Sequence, residues 1–173
     1  WPNPNDYTAA IQAPQVCFRD PDLRLCGVEK HALTRMPKVW TGNFAQVYEL
    51  RNGHVRWAVK CFTRSSTDLQ RRYALISRAI GASGLPYFVE FRLLDGEMLV
   101  NGKRFPVVRM LWVDGVSLDK YVEANLFQPR FLLELASRIL QMVADLESKG
   151  LAHGDLQHGN ILVCRDGIRL VDY

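Results

Sequence analysis

The residues with the clearest chemical potential lie near the carboxyl end, in the stretch His153-Gly154-Asp155-Leu156-Gln157-His158-Gly159-Asn160. A short apolar segment and a turn follow, and Asp172 comes twelve positions after Asn160. A carboxylate such as Asp155 can accept a proton from an attacking hydroxyl group. The oxygens of Asn160 and Asp172 are ligands of the kind that Mg²⁺ prefers. Carboxylate, amide and carboxylate in this order, on a loop, strand, turn and strand, indicate phosphoryl transfer from a nucleotide.

This stretch resembles the catalytic loop of the protein-kinase-like fold, H-R-D-L-x-x-x-N, with Gly154 in place of the Arg. Asp172-Tyr173 stands where that fold has D-F-G. The form H-G-D-L-x-x-G-N is also similar to the loop of aminoglycoside and choline phosphotransferases. The resemblance implies that Asp155 and Asn160 are catalytic and that Asn160 and Asp172 bind Mg²⁺.

Length and composition are those of an ordinary globular protein, with 173 residues, 48% apolar and 23% charged. The net charge of +4 is mild and is attributed to scattered Lys and Arg, so no nucleic-acid partner is expected.

The sequence holds no C-x-x-C pair, which argues against zinc. Cys61 and Cys164 fall in predicted strands and are expected to be free thiols. Without a long apolar run or a visible signal peptide, we expect a cytoplasmic protein with no membrane contact. Because the sequence does not begin with Met, we expect it to be a fragment of a longer protein.

Two β-rich runs flank Asn52-Gly53, which predicts a hairpin. Aligned by Phe44 and Val47, the first run resembles the Gly-rich loop that covers ATP phosphates in kinases, with Gly42 as its middle glycine. The resemblance implies that Gly42 and Val47 contact the nucleotide.

The second run ends in Trp57-Ala58-Val59-Lys60, which resembles the kinase pattern V-A-I-K. A Lys in a buried strand is unusual, because an ammonium group is costly to bury without a partner. The resemblance implies that Ala58 contacts the nucleotide and that Lys60, as a catalytic residue, pairs with its α- and β-phosphates.

A helix is expected next, capped by Ser66 or Thr67 and running through about residue 80. Its apolar positions recur at helical spacing on one face; they are Leu69, Tyr73, Ile76 and Ile80. The matching helix of kinases carries a Glu that pairs with the strand Lys, yet no Glu occurs between Lys60 and Glu90. The sequence therefore leaves two questions open: which group pairs with Lys60, and whether the enzyme is active.

A further strand, at Phe105–Met110, leads into a segment that resembles the kinase hinge ending in G-x-S-L. The resemblance implies that Met110, Leu111 and Val113 contact adenine and that Asp119 contacts ribose. After Pro129 the apolar spacing predicts a long helix that ends near Gly150 and carries the catalytic loop.

The first 35 residues are expected to form an extension packed on the small lobe. It is predicted to have a helical turn at 7–12 and strands at 16–18 and 23–28.

Taken together, these features predict an α+β, two-lobed protein-kinase-like fold. An antiparallel sheet with one helix forms the N-lobe, and a mainly helical C-lobe is truncated. The expected domains are the extension (1–35), the N-lobe and hinge (36–113) and the first part of the C-lobe (114–173). The favoured function is an ATP- and Mg²⁺-dependent Ser/Thr protein kinase that acts on a protein hydroxyl. A small-molecule phosphotransferase and a pseudokinase that binds nucleotide or a partner remain as alternatives. The acceptor and the oligomeric state stay open.

Overall fold

The computed structural model describes residues 1–65 and 67–173, so the expected cap at Ser66 lies outside the described residues. The chain divides into two compact units. Unit 1 comprises Trp1–Tyr73 and Glu90–Trp112, and unit 2 comprises Ala74–Val89 and Val113–Tyr173. Within the described residues the structure is a mixed α+β fold with six α-helices, and every pair of sheet strands is antiparallel. The predicted α+β class and antiparallel sheet are confirmed.

The strands of the sheet in unit 1 are β1 (Gly27–Val28), β2 (Val39–Thr41), β3 (Ala45–Asn52), β4 (Val55–Phe62), β5 (Phe91–Val100) and β6 (Lys103–Leu111). Their order in the sheet is β1-β3-β4-β6-β5, with β2 paired to β3. The predicted hairpin is confirmed: β3 and β4 pair from Ala45↔Phe62 to Asn52↔Val55. Gly53 sits at its turn with φ 58°, a left-handed conformation that glycine adopts without steric cost.

The amino-terminal segment folds into three short helices, α1 (Pro4–Ala10), α2 (Pro14–Cys17) and α3 (Pro21–Arg24). Each begins with a proline, whose fixed φ suits the first helical position. Side chains cap α1, through Asn3, and α3, through Asp20. The predicted strand at 16–18 is therefore wrong, and of the one at 23–28 only β1 forms.

The helices and the residues that flank them supply six of the thirteen buried residues of a hydrophobic core on one face of the sheet, counted over the described residues. Tyr7, Ile11 and Leu23 are fully buried there against Val59 and Cys61 of β4. The four cysteines are free, as expected for Cys61 and Cys164. Burial raises the pKa of the Cys61 thiol far above its ordinary value, so this sulfur behaves as a small apolar group.

A fourth helix, α4 (Leu69–Ser83), begins on the opposite face of the sheet. Its Tyr73 is 6% exposed and lies edge-on to Phe62, at 5.9 Å between ring centroids, and to Phe91, at 5.6 Å. Gln70 donates a hydrogen bond to Asp95 Oδ2 at 2.7 Å. The predicted apolar stripe is confirmed, because its other three members, Leu69, Ile76 and Ile80, are partly buried.

In the sequence, Asp95-Gly96 predicts a turn between two strands. The structure has one strand there instead, β5, with an irregular register between Leu94 and Met98. Gly96 has φ 54°, which allows the chain to bulge and continue.

Unit 2 packs two helices, α5 (Leu118–Ala124) and α6 (Pro129–Ser148), with a small sheet. The sheet consists of β7 (Val116–Ser117), β8 (Ile161–Cys164) and β9 (Gly167–Leu170), in the order β7-β8-β9. The predicted long helix is confirmed; Pro129 starts it and Gly150, with φ 63°, follows its end. No helix in the described ranges 1–65 and 67–173 is long and apolar enough to cross a membrane.

Gly115 marks a close approach between β7 and β8. A Cβ atom there would lie 2.8 Å from Cys164 Sγ and 2.9 Å from Leu162 Cβ. We expect Gly115→Ala to lower the free energy of unfolding by about 1–3 kcal/mol through overpacking. Gly81→Ala is the matched control: Gly81 lies inside α4 with nothing within 4 Å of the added Cβ, so it should stabilise by about 0.5–1 kcal/mol. Urea unfolding of both variants tests the pair; equal effects would contradict it.

Candidate functional site

The loop before β8 holds Asp155 in place through two amide side chains. Asn160 Nδ2 donates to the carbonyl oxygen of Asp155 at 3.0 Å and to its Oδ2 at 3.1 Å. Gln157 Nε2 donates to the same carboxylate oxygen at 3.2 Å. Asn160 is 7% exposed and closes a 3₁₀ turn (His158–Asn160), whereas Asp155 is exposed. The buried amide of Asn160 thus holds the exposed carboxylate of Asp155 in place, and the structure brings these two predicted catalytic residues together.

Two residues around this loop adopt left-handed backbone conformations. Gly154 has φ 83°, where a side chain would be strained, and this explains why a glycine precedes Asp155. Asp172 has φ 67°, a conformation that Asp tolerates better than most residues. Unusual backbone of this kind is often found where a protein positions functional groups.

His153 and Tyr173 anchor the segment that leads to Asp172. His153 Nε2 lies 3.1 Å from the carbonyl oxygen of Val171; because a carbonyl only accepts, Nε2 carries the proton and donates it. The Tyr173 hydroxyl donates to the Val89 carbonyl at 2.5 Å and accepts from the Val89 amide at 2.9 Å. The two rings lie edge-on at 5.8 Å. Both ends of the dipeptide Val171-Asp172 are therefore tied down.

The predicted metal ligands, Asn160 and Asp172, are neighbours through the backbone. The amide of Val171 donates to the carbonyl of Asn160 at 3.0 Å, which places Asp172 one residue away. Because Asn160 Nδ2 is engaged by Asp155, Oδ1 is the atom left to bind a cation. Both are hard oxygen donors, a set that fits Mg²⁺ sharing its remaining positions with water and phosphate. Among the residues the structure describes, no cluster of three or more His, Cys, Asp or Glu side chains forms a metal site of its own.

Asp119, expected to contact ribose, lies in the first turn of α5 beside the same loop. Its Oδ2 is 3.6 Å from His158 Nδ1. The pKa of Asp119 is lowered, chiefly by a hydrogen bond from Ser117 and in smaller part by the backbone of Lys120 and by His158. The carboxylate is therefore charged at neutral pH. His158 had no signal in the sequence beyond its place in the loop, and neither did Gln157 and Tyr173.

In unit 1, four of the predicted nucleotide contacts share one face of the sheet. Lys60 pairs with Val47 of β3, and Ala58, two residues earlier on β4, pairs with Met110 of β6. Residues two apart on a strand point to the same side. This is the face opposite the core around Val59, and Lys60 is half-buried on it, with Nζ 5.9 Å from the Phe62 ring centroid.

The other predicted contacts of this group lie outside that face. Gly42 is exposed in the turn between β2 and β3, where its amide donates to the Ala45 carbonyl at 2.9 Å. Leu111, the last residue of β6, is 48% exposed. Val113 is half-buried and belongs to unit 2. The helix α4 carries no acidic residue, and Asp68 precedes it with φ 62°.

Comparison with known proteins gives one similarity that bears on function. No family model matches the chain. The chain is 23% identical, over 173 aligned positions and 90% of its length, to a protein of Methanosarcina barkeri described as "Probable bifunctional tRNA threonylcarbamoyladenosine biosynthesis protein". The chain spans 30% of the length of that relative.

This similarity corrects the functional expectations drawn from the loop. It points to a different family from protein kinases, so the expected membership among divergent Ser/Thr protein kinases is wrong, and so is the expected transfer to a protein hydroxyl. The expectation of a protein substrate and no nucleic-acid partner is also wrong, because the relative is named for a tRNA nucleoside. The physical reason is that the functional groups of an eight-residue loop suggest a type of chemistry but carry no information about the acceptor.

Proposed function

We propose that this chain is part of an enzyme of tRNA threonylcarbamoyladenosine biosynthesis and that its Asp155 loop binds and hydrolyses ATP in that process. The observation that carries the chemical part is the pair of hydrogen bonds from the buried Asn160 amide to exposed Asp155, at 3.0 and 3.1 Å. The similarity to the Methanosarcina barkeri protein supports the role in tRNA modification. The role in threonylcarbamoyladenosine biosynthesis is proposed for the whole protein to which this chain belongs.

In this mechanism Asp155 orients a water molecule and accepts its proton. The water oxygen attacks the terminal phosphorus of ATP, the bond from that phosphorus to the bridging oxygen breaks, and ADP and phosphate leave. Asn160 and Gln157 hold the carboxylate so that it does not need to reorganise during the step. Because Oδ2 receives both of these hydrogen bonds, Oδ1 is the oxygen assigned to the water.

Asn160 and Asp172 are the residues that would hold Mg²⁺. An ion held there would neutralise phosphate charge and so favour departure of the leaving group. The chain's own contribution is to keep Asp172 close to Asn160, through the Val171 amide and the His153 ring. Within unit 1, a nucleotide-contacting role for the sheet face of Lys60, Val47, Ala58 and Met110 is a separate part of the proposal. It rests on the shared sheet face and on the charge of Lys60.

The amount of threonylcarbamoyladenosine in cellular tRNA tests the proposed role. In cells that lack the full natural gene, mass spectrometry of digested tRNA should show this nucleoside falling to background. The wild-type gene should restore it, and Asn160→Ala should not, because that variant lacks both the tie to Asp155 and a cation ligand. Glu147→Gln, at an exposed position of α6 in the same unit, is the control and should restore it fully. A normal amount of the nucleoside without the gene would refute the role.

A further inference from the structure

The positive charge of the chain is concentrated in one segment. Residues 60–89 contain five of the 22 basic residues and one of the 18 acidic residues. The other 17 basic and 17 acidic residues cancel, so this segment of 30 residues carries the entire net charge of +4. Most Lys and Arg lie elsewhere along the chain, so it is the excess of basic over acidic residues that is local. An excess of Lys and Arg on one face or along a helix is the electrostatic signature of a surface that binds phosphate backbones.

The first turn of helix α4 presents part of this charge to solvent. Arg71 and Arg72 are both exposed. Tyr73, two positions after Arg71, points about 160° away from it around the helix and is buried. Helix α4 itself contains no acid that would neutralise the two arginines.

An exposed aromatic ring accompanies the arginines. Phe44, in the turn between β2 and β3, is 62% exposed, so its ring is open to a stacking partner. The guanidinium carbon of Arg64 lies 5.2 Å from the centroid of its ring. The amide of Thr63 donates to the Phe44 carbonyl at 2.9 Å, and Phe62, the next residue back, packs on Tyr73 of α4. The Phe44–Arg64 pair is therefore attached to the start of the basic helix, within unit 1.

We propose that Arg71 and Arg72, at the start of α4, and the Phe44–Arg64 pair together form an RNA-binding surface. The arginines bind phosphates, and an unpaired base stacks on Phe44, which is how proteins recognise single-stranded parts of folded RNA. This rests on the proposed function in that the RNA is tRNA. Among partners, an acidic protein would also fit the arginines but gives no reason for an exposed phenylalanine beneath a guanidinium group.

Binding of an unmodified tRNA transcript to the full natural chain, measured over a range of salt concentrations, tests the surface. Arg71→Gln with Arg72→Gln should weaken binding and reduce the slope of log K against log salt by about 2, one for each phosphate that is no longer neutralised. Arg51→Gln with Arg130→Gln removes the same charge from exposed positions on β3 and α6 and should leave the slope near that of the wild type. Phe44→Ala should weaken binding about fivefold or more with an unchanged slope, because stacking releases no counterions.

Equal losses of affinity in the two double variants would overturn the surface, since overall charge alone would then explain binding. Unchanged RNA binding in Arg71→Gln with Arg72→Gln would also overturn it and would leave an acidic protein as the partner of the helix. The proposed function is judged separately. If RNA binding maps to α4 but the modified nucleoside persists without the gene, the surface stands and the proposed function fails. If the nucleoside disappears without the gene but α4 variants bind RNA normally, the reverse holds.

Discussion

Replacing Asp155 by Asn should lower the rate of ATP hydrolysis about 10²- to 10⁴-fold, the usual contribution of a positioned proton acceptor. The substitution keeps the size of the side chain and an oxygen for the hydrogen bonds from Asn160 and Gln157, so the loop should keep its shape. It removes only the charge and the ability to accept a proton from water. Release of phosphate from ATP by the full natural chain, with Mg²⁺ present, is the measurement.

Two comparisons make this result specific. Glu147→Gln removes a carboxylate from an exposed site on α6 and should hydrolyse ATP at the wild-type rate. Nucleotide binding by Asp155→Asn, followed by fluorescence of an ATP analogue, should persist, because in the proposed mechanism Asp155 contacts the water and not the nucleotide. Hydrolysis by Asp155→Asn at the rate of the wild type would show that another group takes the proton.

Local sequence patterns predicted those elements whose form is set by neighbouring residues. The β3–β4 hairpin follows from the Asn-Gly turn between two β-rich runs. The burial of Tyr73 follows from helical spacing, and the bounds of α6 follow from Pro129 and Gly150. Asp155 and Asn160, which the structure joins by hydrogen bonds, could be paired from the sequence for the same reason: they are close in the chain.

Interactions between distant residues were not predictable in this way. The amino-terminal segment reads as two strands because residues 16–18 and 23–28 are mostly apolar. The prolines at the start of α2 and α3 decide for helices, and those apolar residues then pack against the sheet. The bonds of Tyr173 to Val89, 84 positions apart, have no counterpart in any local pattern. A nucleic-acid partner was not expected because net charge was considered over the whole chain, whereas the excess of basic residues lies in residues 60–89, the segment that holds the arginines of the proposed RNA-binding surface.

A buried ion pair joins the amino-terminal segment to the sheet. Arg109, on β6, has only 10% of its side chain exposed, and its Nη1 donates to both carboxylate oxygens of Asp20 at 2.9 Å. The guanidinium group lies 4.4 Å from the centroid of the Trp57 ring. Beside it, Glu97 is 5% exposed and accepts the backbone amides of Arg19 and Asp20 at 2.7 and 2.6 Å. The turn before α3 is thus fixed to the sheet by charge-assisted hydrogen bonds in a nearly dry environment.

Removing one partner from this pair should be costly, because a buried charge without its counterion is far less stable than the pair. We expect Asp20→Ala to lower the free energy of unfolding by about 3–5 kcal/mol, because Arg109 keeps only the exposed Asp22 as a counterion and α3 loses its cap. Asp22→Ala is the control: Asp22 also contacts Arg109 at 2.9 Å, but its side chain is 63% exposed. Its removal should cost at most about 1 kcal/mol, as for surface ion pairs.

Adding Arg109→Met to Asp20→Ala separates the value of the pair from the penalty of a lone charge. A buried ion pair contributes little relative to apolar residues of similar size, so the double variant should recover most of the stability that Asp20→Ala removes. Urea unfolding of the four proteins gives the coupling energy between the two positions directly. If the double variant loses as much free energy of unfolding as the two single variants together, then neutralising a buried charge is not the main contribution of the pair. The stability would then depend on hydrogen bonds that hold the turn before α3, chiefly those accepted by Glu97.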